Sequence, residues 1–348
     1  MTALDDAAYG RLLLRLLLDG DHTDVARVDW ATLLHLARTN GVLLRTADRL
    51  TKRGAALPTA FADGVAKERE RVRDAITLVR EVDRICTANG IEFLFAKAFQ
   101  HYPDMGADLD LLVMAPAATV DALLARKLAA TARRRDLGSW IAGTVAFQVR
   151  DVATPLDVQH GRIGTVGEHR AYAVMLLKNR RRIVIEGTEF AAPSAEDQLV
   201  LQGVQRVYGR RSLRVADVAY TVSSLRHDPL DWNYVLGTAR RIGVLPALAC
   251  YLGYVEQIHR DLPGGSLVPP LVRKLLPLEG WGRVTFTRGA YRFPALRVNG
   301  RLYVRQLAAG LRAAKWDRAA RLLLLPIVGA GVAVEHLTTA WSRSAEPV

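Results

Sequence analysis

The spacing of hydrophobic residues changes twice along this chain, and this change constrains its fold more than any other feature. Residues 28–89 repeat apolar side chains at helical spacing, as at Leu78, Val82 and Ile85. Short β-prone runs follow, at 91–96, 109–113, 145–150, 156–160 and 182–185. Helical spacing returns after Pro193. The sequence therefore predicts an α+β fold, in which a small mixed β-sheet core at 90–192 is flanked by helical regions at 1–89 and 193–348.

A helical unit occurs twice, once on each side of the predicted sheet. Residues 28–43 and 230–245 share an Asp-Trp pair, a stripe of apolar residues, an Arg and a Gly at matching positions. Asp before a helix accepts hydrogen bonds from the first free N–H groups, and Gly after it adopts the left-handed conformation that ends many helices. The pattern predicts two similar helices that begin after Asp29 and Asp231 and end at Gly41 and Gly243.

Local signals predict further elements of the central region. Glu186-Gly187 has the composition of a tight hairpin turn. The apolar stripe at 120–135 predicts a helix that crosses between strands. Ser194 and the acidic residues after it predict the start of a helix. Residues 281–303 mix aromatic residues with Arg and are left open as a loop or a short accessory segment.

The charge of the chain favours anionic partners without identifying one. The 348 residues have 48 Lys and Arg against 35 Asp and Glu, a formal net charge of +13. Nucleic acid is therefore a possible partner, although scattered surface arginines would give the same balance. The candidate basic groups are Lys178, Arg180, Arg181 and Arg182, and Arg206, Arg210, Arg211 and Arg214.

Targeting and redox features indicate a cytoplasmic protein. Two cysteines, Cys86 and Cys250, lie far apart and predict neither a disulfide framework nor a zinc site. The N-terminus lacks a basic start followed by a cleavable apolar run. The apolar stretch 322–334 is too short to cross a bilayer and is expected to form a buried or interfacial helix.

Three aspartates are the candidate catalytic and metal-binding residues. Asp108 and Asp110 are two positions apart, so that on a strand both carboxylates point to one face. Asp157 occupies a second predicted strand. Adjacent carboxylates repel unless cations neutralise them, and Mg²⁺ or Mn²⁺ bound through oxygen ligands would do so. Exposed strand ends also carry such pairs without any catalytic role.

The three segments that contain residues 91–98, 108–113 and 156–160 resemble the polymerase-β-type nucleotidyltransferase superfamily, and most closely a bacterial branch of uncharacterised nucleotidyltransferase-like proteins. The resemblance covers roughly residues 28 to 251 and leaves the last hundred or so unsupported. It implies that Asp108, Asp110 and Asp157 hold the metal, and that Lys97, Ala98 and Arg214 bind a nucleoside triphosphate, with ATP as the expected substrate.

One departure from the family pattern affects the expected activity. The loop after the first core strand usually has Lys-Gly or Gly-Ser, whose backbone approaches the triphosphate, whereas this chain has Lys97-Ala98-Phe99. Three hypotheses stay open: a metal-dependent nucleotidyltransferase acting on an unidentified acceptor, a catalytically impaired relative that binds a nucleotide, protein or nucleic acid, and a protein whose basic surface binds RNA or DNA.

Overall fold

The predicted α+β architecture is confirmed in the structure, a computed structural model that describes residues 4–18, 28–208, 212–260, 262 and 265–326. The helices of these residues are α1 (Asp6–Leu18), α2 (Trp30–Thr39), α3 (Leu43–Lys52), α4 (Thr59–Ala88), α5 (Ala117–Lys127), α6 (Leu137–Ala142), α7 (Arg170–Lys178), α8 (Ala195–Val207), α9 (Val215–His227), α10 (Trp232–Arg241), α11 (Leu245–His259), α12 (Pro270–Leu275), α13 (Ala295–Arg312) and α14 (Trp316–Leu323). Where one domain ends and the next begins stays a prediction.

The central strands form one five-stranded sheet in the order β1-β2-β5-β4-β3. These strands are β1 (Phe93–Phe95), β2 (Leu109–Val113), β3 (Thr131–Ala132), β4 (Thr144–Gln148) and β5 (Leu156–His160). The pair β2 and β5 is parallel, and the other pairs are antiparallel. The predicted runs 109–113 and 156–160 match β2 and β5 to the residue. All five residues of β2 are buried, which is typical of a central strand covered on both faces.

The helix predicted over 120–135 is wrong in its second half. Helix α5 ends at Lys127, and Ala129 has a positive φ of 47°. Thr131 and Ala132 then pair with Gln148 and Phe147 as an edge strand of the sheet. The periodicity of the apolar residues does not reveal this ending, because strand pairing with a segment about 15 residues further on replaces the helical hydrogen bonds.

The repeated helical unit is confirmed in both copies. Asp29 accepts a hydrogen bond from the Thr32 N–H at 2.9 Å, and Asp231 accepts from the N–H groups of Asn233 and Tyr234. Gly41 and Gly243 end the two units with φ values of 65° and 67°. The same capping chemistry therefore begins and ends α2 and α10, which precede and follow the sheet in the sequence.

The predicted hairpin and the predicted helix start after it are also confirmed. Strands β6 (Arg181–Ile185) and β7 (Thr188–Ala192) form a two-stranded sheet, and both turn residues, Glu186 and Gly187, have positive φ. Ser194 Oγ accepts a hydrogen bond from the Asp197 N–H at 3.1 Å and caps α8.

The predicted C-terminal helical region also contains a small sheet. Strands β8 (Ser212–Leu213), β9 (Thr285–Thr287) and β10 (Ala290–Arg292) pair in the order β8-β10-β9. The segment 281–303, left open between a loop and an accessory segment, is thus a short hairpin followed by the start of α13. Of the predicted helix at 322–334, residues from 327 onward lie outside the described residues. Within the described part of the chain, no helix combines the length and apolar character needed to span a bilayer.

A buried ion-pair network joins the sheet to the helices after it. Asp217 on α9 is completely buried, and its Oδ1 lies 2.8 Å from Arg206 Nη2 and 3.1 Å from His101 Nε2. Its Oδ2 accepts from the Arg214 N–H at 3.1 Å. Burial alone would raise the pKa of Asp217, but Arg206 and Arg214, helped by the hydrogen bond from His101, hold this pKa well below its ordinary value. The loop after β1, α8 and α9 therefore meet at one carboxylate.

We expect Asp217→Asn to destabilise the fold strongly, because it leaves two guanidinium groups without their buried counter-ion. Loss of one member of a buried ion pair typically costs about 3–5 kcal/mol. The matched control is Asp48→Asn, which removes an exposed pair with Arg69 and should cost less than about 1 kcal/mol. Urea unfolding at pH 7 measures both changes. An equal loss in the two variants would contradict a structural role for the buried network.

Candidate active site

Two neighbouring parallel strands bring Asp110 and Asp157 side by side. Their Cα atoms are direct partners in the register of β2 and β5, and paired residues on adjacent strands point to the same face of a sheet. Asp108 lies two residues before Asp110, at the entrance to β2, and its charge raises the pKa of both other aspartates. The structure therefore brings the three predicted acids together, while their catalytic and metal-binding roles stay predictions.

Asp110 is the most enclosed of the three, with 4% of its surface exposed. Its Oδ2 lies 2.8 Å from the Lys97 ammonium, and its Oδ1 accepts a hydrogen bond from Gln159 Nε2 at 2.7 Å. Burial raises the pKa of Asp110, and Asp108 adds to this, whereas Lys97 and Arg206 lower it. Both carboxylate oxygens thus have a partner, and one of these partners is a cation.

Asp157 is poised to exchange a proton near neutral pH. Burial is the largest cause of its raised pKa, and the charges of Asp108 and Asp110 add to the effect, so that the pKa reaches about 6. Lys97 and Arg133 oppose the shift. A carboxyl group with a pKa of about 6 exists in both protonated and ionised forms near neutral pH, so it can act as a general acid or base.

The donor chemistry of the three acids fits a divalent cation. Mg²⁺ and Mn²⁺ bind carboxylate oxygens, and of the described cations that act on the three carboxylates only Lys97 contacts one of them directly. Among the residues that the structure describes, however, no three His, Cys, Asp or Glu side chains are already grouped as a metal site. Lys97 instead supplies the positive charge next to Asp110.

A cavity of about 260 Å³ is lined by residues of the sheet, of α8 and of the loop before α7. Lys97 and Gln159, the two partners of Asp110, both line it. The rest of the lining combines hydroxyl, amide, guanidinium and apolar groups: Thr144, Arg162, Gly164, Thr165, Val204, Gln205 and Tyr208. We name this space the acid-side cavity. None of the three acids lines this cavity; a ligand in it would reach Lys97 and Gln159, the two residues that contact Asp110.

The segment Lys97-Ala98-Phe99 has no glycine, and its backbone position is fixed by the packing of its side chains. Ala98 is 2% exposed, and the Phe99 ring stacks on Phe190 with centroids 5.1 Å apart. The Ala96 carbonyl accepts a hydrogen bond from Gln198 Nε2 on α8 at 3.0 Å. Ala98 and Phe99 thus lie in the hydrophobic core, and neither lines the acid-side cavity.

The predicted nucleotide-binding arginine, Arg214, lies in the buried network instead of beside the acids. Its Nε is 3.5 Å from Asp217 Oδ2, and it caps the start of α9. Arg206 is the arginine whose charge acts on Asp110, and the sequence showed it only as a member of a basic group. The nucleotide-binding roles of Ala98 and Arg214 stay predictions.

Gln159 is a site residue whose role the sequence did not reveal. Its position two residues after Asp157 places it on the same face of β5, but only the pairing of the strands shows that it binds Asp110.

The candidate basic groups are only partly described by the structure. Lys178, Arg180, Arg181 and Arg182 are all exposed, and Arg210 and Arg211 lie outside the described residues. Binding of nucleic acid to these groups stays a prediction.

Comparison with known proteins adds one finding. The model of a family described as uncharacterised nucleotidyltransferase matches residues 26–259. This segment runs from before α2 to the end of α11, and it contains the three acids and the complete lining of the acid-side cavity. No curated protein and no solved structure matches the chain.

We expect Asp157→Asn to stabilise the metal-free protein at pH 7.5 and to have little effect at pH 4. The folded-state pKa of about 6 lies above the ordinary value of 3.8, so ionisation of Asp157 costs the folded state stability as the pH rises through this window. The expected gain above the window is about 1–3 kcal/mol. Thermal unfolding in EDTA measures it.

The control for this effect is Asp151→Asn, which makes the same change at an exposed position whose positive φ of 59° suits Asn. It should show no difference between the two pH values. A gain in Asp157→Asn that is equally large at pH 4 would show that the crowding of the three carboxylates is not its cause.

Proposed function

The chain belongs to the uncharacterised nucleotidyltransferase family, and we propose that it transfers a nucleoside monophosphate from a nucleoside triphosphate, with ATP expected, to an acceptor hydroxyl or phosphate. The observation that carries this proposal is the placement of Asp110 and Asp157 as direct partners on parallel strands, with Asp108 beside them. An acceptor oxygen attacks the α-phosphorus, the bond to the bridging oxygen breaks, and pyrophosphate leaves.

The three acids share one task in this reaction, and Asp157 has a second one. Asp108, Asp110 and Asp157 would hold Mg²⁺ or Mn²⁺, which supplies positive charge to the triphosphate and to the leaving pyrophosphate. Asp157 also takes the proton from the acceptor hydroxyl. Gln159 keeps Asp110 oriented through its hydrogen bond to Oδ1.

Lys97 and Arg162 are the cations that would meet the triphosphate. Both line the acid-side cavity. The Lys97 ammonium neutralises Asp110 and can turn toward a phosphate oxygen when a cation takes over that task. Arg162 donates to the Gly167 carbonyl at 3.1 Å and to Asp317 at 3.3 Å, so it is held at the cavity wall.

The second candidate function is a relative that binds a nucleotide without transferring it. Two observations favour it: the loop after β1 has Ala98 in the position of the usual glycine, and both oxygens of Asp110 already have partners. The two candidates differ in one measurable property, the release of pyrophosphate, because both would bind a nucleoside triphosphate together with a metal ion.

We expect the wild-type protein to release pyrophosphate from a nucleoside triphosphate in the presence of Mg²⁺ or Mn²⁺ and an acceptor. The assay incubates each labelled triphosphate with candidate acceptors and follows both products. Asp108→Asn and Asp157→Asn should lower the rate by at least about 100-fold, because they remove metal ligands or the proton acceptor. Asp151→Asn is the matched control and should keep the wild-type rate.

Two outcomes of this assay would decide against catalysis. Metal-dependent binding of a triphosphate without release of pyrophosphate would favour the binding relative. Absence of both binding and release with every triphosphate would rule out the nucleotide site itself.

We expect Lys97→Met to weaken triphosphate binding by about tenfold, since it removes a charge-assisted contact to phosphate. Titration calorimetry with Mg²⁺ and ATP measures the dissociation constant. Lys127→Met, at an exposed position in the last turn of α5, is the control for the loss of one positive charge. An unchanged dissociation constant in Lys97→Met would remove Lys97 from the nucleotide site.

A further inference from the structure

A second cavity, of about 470 Å³, lies at the N-terminal end of α7. We name it the α7 cavity. It shares no lining residue with the acid-side cavity, although the loop before α7 contributes to both: Arg162, Gly164 and Thr165 line one, and Glu168 and His169 line the other. The opposite wall of the α7 cavity comes from the end of α10 and from residues 315–318 at the start of α14.

The first turn of α7 faces this cavity without a side-chain cap. His169 is the N-cap residue of this nine-residue helix, and its side chain makes no capping hydrogen bond. Its ring lies 3.2 Å from Gln306 instead, and burial lowers its pKa to about 3, so that it is neutral. The first N–H groups of a helix have no acceptor within the helix, and they carry the positive end of its dipole. Such a helix end favours an anion.

Arg318 gives an independent indication of an anion. It lines the α7 cavity, yet it is only 7% exposed. Its Nε is buried without a hydrogen-bond partner, and Nη2 has one long contact, 3.4 Å, to the Gly243 carbonyl. In the part of the chain that the structure describes, no carboxylate lies within 4 Å of this guanidinium. Burial lowers the pKa of Arg318, and Glu168 opposes this through its charge without contacting the guanidinium. A bound oxyanion would supply the directly bonded partner that a buried guanidinium lacks here.

The charge around the α7 cavity is positive where a ligand would enter. Arg170, Arg241 and Lys315 line it, and all three are exposed. Its two carboxylates are engaged elsewhere. Glu168 is buried against Gly164 and accepts from the Val166 N–H at 3.0 Å, and Asp317 pairs with Arg162 and Arg321. The cations therefore outnumber the available anions.

Trp316 adds an apolar surface at the same cavity. Trp316 is 67% exposed and lines the cavity together with Ile242 and Val174. A flat aromatic ring beside cationic groups suits a ligand that joins an apolar or aromatic part to an anion.

We propose that the α7 cavity binds the phosphate group of a small-molecule phosphate ester. The N–H groups at the start of α7 and the Arg318 guanidinium receive the phosphate oxygens, Arg241 and Lys315 neutralise the remaining charge, and Trp316 covers the organic part. This site is distinct from the acid cluster, and its existence does not require that the chain transfers nucleotides.

Titration calorimetry on the full chain tests the proposal with two probes, phenyl phosphate and inorganic phosphate. The double variant Arg241→Gln/Lys315→Gln changes exposed residues and should weaken binding of both probes by about tenfold or more. The matched control, Arg240→Gln/Arg312→Gln, removes two exposed charges outside the cavity and should leave binding within about twofold of the wild type. Trp316→Ala should weaken binding of phenyl phosphate and leave that of inorganic phosphate unchanged.

Arg318→Met adds a test of the buried guanidinium, and it should abolish binding in a protein that is still folded by circular dichroism. If Arg318→Met fails to fold, the double variant decides alone. Three results would overturn the proposal: no saturable binding of either probe to the wild type, equal weakening in the double variant and its control, or binding that Lys97→Met abolishes and the double variant keeps. The last result would place the phosphate in the acid-side cavity.

Discussion

The parallel register between β2 and β5 is the constraint on which the rest of this site depends. It places Asp110 opposite Asp157 and puts both carboxylates on one face. Residues that alternate with them, Leu111 and Val158, are completely buried on the other side. A shift of one residue would exchange the two faces and bury the acids in the hydrophobic core. The apolar side chains of the two strands therefore determine where the carboxylates lie.

Holding two carboxylates side by side costs stability, and the surrounding cations offset this cost. Lys97 contacts Asp110 directly, and Arg206 acts on it through its charge. Arg206 also forms the 2.8 Å ion pair with Asp217, so one arginine connects the acid cluster to the buried network behind it. Helix α8 carries this arginine and lines the acid-side cavity as well. Stability of the helices and electrostatics of the site are thus linked through α8.

The loop 161–169 contributes residues to both cavities, and the two cavities differ in which other parts of the chain line them. The acid-side cavity consists entirely of residues within the segment that matches the family, 26–259. The α7 cavity needs Lys315, Trp316 and Arg318, which lie beyond that segment. Arg321, in the last turn of α14, donates to the carbonyls of Ile141 on α6 and Val166 in the loop and holds α14 against both. The C-terminal part of the chain therefore adds one wall of a cavity to the segment that matches the family.

The sequence by itself determined the features that depend on neighbours along the chain. Alternation of apolar residues located β2 and β5, and Asp29, Asp231 and Ser194 marked helix starts, because caps and strand faces are set within a few residues. Tertiary structure alone decided which distant groups meet. Asp110 contacts Lys97 and Gln159, which are distant in sequence. The early end of α5 and the burial of Arg318 also depend on packing against other segments of the chain. Such packing leaves no pattern among neighbouring residues, so the sequence alone did not predict it.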